Sequence, residues 1–129
     1  MTKTTTLALL LATLTAGCSA PPPSRDETAR IEHIVWDELL QAPGSPPPFE
    51  WVADGGPCLD SVKDMCADGM YDGTVAFAVW KGTIPATALA HELIHAWLLA
   101  STGDGDREHK TGAWYREAKI NQVLEWRGY

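Results

Sequence analysis

Basic residues are scarce in this chain: 10 Lys and Arg stand against 17 Asp and Glu, for a formal net charge of −7 over 129 residues. Nucleic acid is therefore not an expected partner, because no basic patch is available to displace counterions from phosphates. Long apolar runs are missing as well. The one near the start, Leu7 to Ala16, falls far short of the roughly 20 residues that cross a bilayer, so no retained transmembrane helix is expected there. Cysteine is limited to three, an odd number, and histidine to four. No internal repeat and no second domain are visible. Apolar side chains are plentiful at 45%, with six Trp among them, which suffices for one small domain and its core. The tryptophans read as core or cleft-wall residues, since nothing in their spacing suggests a stacking platform.

The first residues read as an address. Lys3 supplies a short positive segment, Leu7 to Ala16 an apolar one, and Thr15-Ala16-Gly17-Cys18 a cleavage site. Small residues directly before a cysteine resemble a bacterial lipoprotein signal. That resemblance implies loss of residues 1–17 and lipidation of Cys18 as the new N-terminus; an ordinary signal peptide cut near Ala20 is the alternative. Cysteine parity favours the lipoprotein, because lipidation uses the odd thiol and leaves Cys58 and Cys66 as a pair. Export makes a disulfide between them the expected state, stabilising by roughly 2–3 kcal/mol. A structural metal on two isolated thiolates is the weaker option. The expected location is extracytoplasmic, with the chain held to a bacterial membrane by its lipid. Ser19 rather than aspartate after the cysteine favours the outer membrane, facing the periplasm, where a cell has two. Residues 18–25, with Pro21-Pro22-Pro23, read as an extended tether, and residues 26–129 as a single domain, taken as a monomer.

Within that domain, Ile31, Ile34, Val35 and Leu39 repeat at helical spacing and predict an amphipathic helix from about Asp26 to Gln41. His33 lies in it without a metal-spaced partner and reads as a surface residue. Phe49 to Ala53 predicts a short strand. Gly55 to Gly73 reads mostly as loop, with one helical turn near Val62. Thr74 to Trp80 predicts a strand with Val75, Phe77 and Val79 toward the core. Asp104-Gly105-Asp106-Arg107-Glu108 reads as a solvated acidic turn, its spacing not completing a calcium loop. A last helix is expected from about Ala113 to Trp126, with Ile120 and Leu124 on its apolar stripe.

Between strand and turn lies His91-Glu92-Leu93-Ile94-His95. Thr83 as N-cap, Pro85 in the first turn and Gly103 past the end predict a helix from about Pro85 to Thr102. Ala86, Leu89, Leu93, Ala96, Trp97 and Ala100 form its apolar face, and His91, Glu92 and His95 fall opposite. Two histidines four apart on a helix can grip one Zn²⁺, and the glutamate beside the first can act as general base toward a water at that metal. A catalytic zinc site wants a third protein ligand. His109 is the first candidate, carried by a loop long enough to fold back, and Glu117 from the last helix is the alternative. The metzincin pattern fails, since it asks for glycine at Leu98 and histidine at Ser101.

His91-Glu92-Leu93-Ile94-His95-Ala96-Trp97, then His109, then Ile120-Asn121, resembles the SprT-like (Spartan-type) zinc metallopeptidase family over about Thr74 to Asn121. The chain departs from that family's pattern after His109. Lys110 replaces a glycine, Gly112 comes two residues late, and Trp114 stands one position further on. The resemblance implies an α+β, minimal zincin-like domain: a small antiparallel-edged sheet, an N-terminal helix, the active-site helix and a C-terminal helix. It implies His91, His95 and His109 as zinc ligands, Glu92 as base, and a peptide or protein substrate. Tyr115 is the nearest sequence candidate for stabilising an oxyanion, with a packing role as the alternative. The rival expectations are a non-catalytic zincin-fold lipoprotein that binds an envelope partner, a zinc amidase acting on peptidoglycan, and an ImmA-like peptidase.

Overall fold

A serine starts the first helix. In the computed structural model, which describes residues 20–56, 58, 61–62 and 65–129, the Ser24 hydroxyl accepts the Glu27 N–H at 3.2 Å and caps α1, Arg25–His33. The expected signal peptide and Cys18 lie outside the described residues. Ala20 is docked, its carbonyl accepting the Trp80 indole N–H at 2.6 Å. From Ile34 to Leu39 the chain continues as a π-helix, and the Leu40 N–H reaches back five residues to the Val35 carbonyl at 2.8 Å. That wider turn shifts the apolar stripe out of its α-helical phase. The buried set is Ile31, Val35, Trp36 and Leu40, while Ile34 and Leu39 are only partly covered. Glu32 is buried beside this stripe, where desolvation pushes its carboxyl up to about 7. His33 pairs at the surface with Asp37, as expected of a residue with no metal to hold.

Five strands follow among the described residues: β1 (Phe49–Ala53), β2 (Ser61–Val62), β3 (Met65–Cys66), β4 (Gly69–Tyr71) and β5 (Ala76–Trp80). The stretch expected as loop thus contains three of them. Instead of a helical turn, Val62 lies opposite Met65 and Ser61 opposite Cys66 in an antiparallel hairpin. The Cys58–Cys66 disulfide closes it, with the Cα atoms 5.2 Å apart. The main sheet has the order β1-β5-β4, parallel between β1 and β5 and antiparallel between β4 and β5.

The faces of β5 are only partly those expected: Val79 is buried as expected, but Ala76 and Ala78 on the opposite face are buried too, while Phe77 is half-buried. The register explains this. Ala78 lies opposite Trp51 and Gly69, and Ala76 opposite Phe49 and Tyr71. Residues paired in register share a face, and Gly69 abuts the helix that follows β5. The helix approaches so closely that small side chains fill the space under it, with the aromatic rings on the outer strands closing the flanks.

That helix, α2, spans Leu89–Thr102. It begins four residues later than the sequence predicts, because Ile84–Ala86 is a separate 3₁₀ turn containing Pro85. Thr87 makes the corner: its hydroxyl donates to the Ile84 carbonyl at 2.7 Å and accepts the Leu89 N–H at 3.3 Å. Gly103, at φ 79°, ends the helix as expected, its N–H on the Leu99 carbonyl at 2.9 Å. Burial is not confined to one stripe. Leu89, Ala90, Leu93, Ile94, Ala96 and Leu98 are all buried and Ala100 is exposed, because the sheet, the π-helix and the last helix all pack on α2. A second 3₁₀ turn, Gly112–Trp114, leads into α3, Tyr115–Trp126, which buries Ile120 and Leu124. The fold is α+β: three α-helices with a small mixed sheet whose outer strand β4 is antiparallel. Among the described residues no helix is long and apolar enough to cross a membrane.

Candidate metal centre

The 3.6-residue period of α2 sets His91 and His95 one turn apart on the same side, their ring centroids 4.9 Å from each other. His109 reaches them from the loop between α2 and α3. Its Nε2 lies 3.0 Å from His91 Nε2 and 3.2 Å from His95 Nε2, and one ligand atom from each of the three falls within 4.8 Å of the others. Tetrahedral zinc bonds of about 2.0–2.1 Å set their donor atoms roughly 3.3 Å apart. The three imidazoles are therefore spaced to hold one metal ion.

The outer ring nitrogens agree with that reading. His95 Nδ1 lies 2.6 Å from the Gly105 carbonyl, which can only accept, so Nδ1 carries the proton and Nε2 presents its lone pair inward. His91 Nδ1 donates to Glu117 Oε2 at 3.2 Å, with the same consequence. Glu117, the alternative third ligand, thus stands behind His91, in the position from which a carboxylate orients a metal-binding imidazole. Burial lowers the pKa of His95; its bond to Gly105 opposes this, and the neighbouring His91 and His109 add to the lowering.

His109 depends on a loop that does not behave as a solvated acidic turn. Asp106 is 7% exposed, and its carboxylate accepts hydrogen bonds from Lys110, Thr111 and Trp114. Burial works against its charge, yet these donors together hold the carboxyl well below the usual range. Asp106 and His109 both sit in the left-handed region, at φ 51° and 54°, and no glycine occupies either position. Trp114 packs its ring against all three imidazoles, with centroids 4.6 Å from His91, 4.6 Å from His95 and 4.4 Å from His109. Lys110, Gly112 and Trp114, where the sequence departs from the pattern it resembles, do not keep His109 from the cluster.

Beside His91 lies a cleft of about 330 Å³, walled by Ala67, Asp68 and Gly69 on one side, Ala86, Thr87 and Ala88 on another, and by Glu92 and Glu117. Glu92 is 4% exposed and lines the cleft. Burial, with the charge of Glu117 adding to it, pushes its carboxyl up to about 8. Tyr115 is exposed, beneath the charged ends of Arg116 and Lys119, and does not line this cleft. Comparison with family models, curated proteins and solved structures gives no match to this chain. The centre therefore stands on its own geometry.

Sequence reasoning missed Gly69 and the buried carboxylate of Asp106. Gly69 has no periodic signal, yet a Cβ there would come within 2.6 Å of Glu92 Oε1 and 2.5 Å of Ala88 Cβ. Its lack of a side chain is what brings β4 against the start of α2. Gly69→Ala is expected to destabilise the fold by about 1–3 kcal/mol through overpacking, as read from thermal melts, because the Ala88 methyl has no rotamer with which to retreat.

Proposed function

We propose that this chain is a SprT-like zinc metallopeptidase that hydrolyses peptide bonds outside the cytoplasm, anchored to the membrane through lipidated Cys18. The convergence of three imidazole nitrogens beside a cleft lined by the buried Glu92 carries this reading. Three imidazoles with no thiolate suit zinc, and they leave a coordination position open. When bound, zinc supplies Lewis acidity at that position, polarising a carbonyl and acidifying water. Glu92 takes the proton of the attacking water and returns it to the leaving amine.

The cleft suggests how substrate lies. β5 is paired on both sides; among the described residues the edges of the sheet are β1 and β4, and β4 carries Gly69 of the cleft wall. The Val79 N–H bonds the Asp68 carbonyl at 2.7 Å and the Asp72 N–H bonds the Val75 carbonyl at 3.3 Å. Antiparallel alternation then turns the backbone groups of Gly69 and Tyr71 outward. An extended peptide added along β4 would pass the cleft with a carbonyl near Glu92. The extracytoplasmic assignment is supported by the Cys58–Cys66 disulfide and by the cleavage-site residues before Cys18.

Purified protein is expected to contain about one zinc per chain by mass spectrometry and to cleave an unfolded protein substrate. Cleavage should stop with chelator and return with zinc. Absence of both metal and chelator-sensitive cleavage returns the chain to the non-catalytic, partner-binding alternative.

A further inference from the structure

The loop that delivers His109 is built around one carboxylate. Asp106 lies three residues before His109, and its main-chain carbonyl accepts the His109 N–H at 2.9 Å. Its Oδ1 accepts the Lys110 N–H at 2.8 Å. Its Oδ2 accepts the Thr111 N–H at 2.9 Å, the Thr111 hydroxyl at 2.8 Å and the Trp114 indole N–H at 2.8 Å. The two N–H groups that directly follow His109 are therefore tied to Asp106. This holds His109 at a φ of 54°, which residues other than glycine adopt infrequently. The same carboxylate fixes the one ring that touches all three imidazoles. A surface acid closing a turn needs one or two donors. Four donors from three residues, gathered on a buried group and spanning the third histidine, hold the backbone and the backing ring together.

We infer that Asp106 is a positioning residue that sets the metal affinity of the three-histidine centre, by holding His109 and Trp114 in their binding arrangement before an ion arrives. The inference rests on reading that cluster as a metal site. Asp106 touches none of the three imidazoles through its hydrogen bonds and acts through the loop and the indole.

The test uses Co²⁺ as a spectroscopic probe alongside Zn²⁺. Asp106→Asn keeps the shape but replaces one accepting oxygen with an amide NH₂, which cannot accept. Affinity for both ions is expected to fall about 10–100-fold, the range seen for groups that orient metal ligands. The Co²⁺ absorption bands should shift, and the rise in Tm on adding zinc should shrink. A role in folding alone would lower the Tm of metal-free and metal-loaded protein equally and leave the Co²⁺ spectrum and affinity unchanged; that result overturns the inference. If Asp106→Asn does not fold, Thr111→Val decides, since it keeps the side-chain shape and removes the hydroxyl that donates to Asp106 Oδ2. A Co²⁺ affinity weakened about 3–10-fold, below the range for a directly contacting group, supports the inference, and an unchanged one overturns it. Wild-type protein that binds neither ion removes the metal reading itself. Wild-type binding with unaltered variants removes only the role of Asp106.

Discussion

Glu92→Gln is expected to lower kcat for peptide cleavage by about 10²–10⁴-fold, the usual contribution of a positioned general base, with KM little changed and zinc content preserved. Glutamine matches glutamate in shape, so the tight approach of Gly69 to Glu92 survives, and a neutral amide sits in this buried position at no cost in charge. What it lacks is a basic oxygen for the water's proton. Stopped assays of peptide cleavage next to metal analysis of the same preparation check this. Turnover at wild-type rate in the zinc-loaded variant would remove Glu92 from the chemistry.

The second large effect separates the two candidates for the third ligand. His109→Asn should weaken zinc binding by more than about a thousandfold, beyond the roughly 10–100-fold expected of a residue that only orients a ligand. Asparagine tolerates the left-handed backbone that His109 adopts, so the exchange tests the imidazole and not the turn. Glu117→Gln should fall within the smaller range, because Glu117 meets the outer nitrogen of His91 and not the shared centre. Competition with a chromophoric chelator measures both constants. Equal losses for the two variants, or a larger one for Glu117→Gln, would put the carboxylate in the coordination sphere and His109 outside it.

Parts of this molecule are legible before any coordinates. The four-residue spacing of His91 and His95 needs only helical geometry, and Gly103 marks the helix end because a left-handed residue there costs glycine little. The third histidine was the first candidate, as the only histidine after the helix, with Glu117 open as the alternative. Its route to the site was not legible. Two non-glycine residues in the left-handed region, Asp106 and His109, run against local preference and are stable only because a buried carboxylate collects the donors around them. Local pattern also misjudged Leu39, because a π-turn is set by packing and carries no composition of its own. The β5 faces were partly misjudged for a related reason. Alternation says that two faces exist, and apolar size suggested Val75, Phe77 and Val79 for the inner one. Val79 is buried as that suggests, but the neighbour decided the rest, since Ala76 and Ala78 are buried where α2 lies close to the sheet.

Local chemistry along the chain was enough to nominate the residues of the candidate site. It placed two imidazoles and a carboxylate on one helix, a third imidazole downstream, a cysteine pair and an acidic surface, because periodicity, capping and charge act over a few residues. Distance between elements was settled only by the fold. The pairing of β4 with β5, the bare Cα of Gly69 against Glu92, Glu117 behind His91, and the Asp106 and Trp114 support beneath the histidines all join segments far apart in sequence or held in unusual backbone states. Such contacts are selected by the packing of the whole domain, in which many weak local preferences are overruled by a few close, desolvated ones.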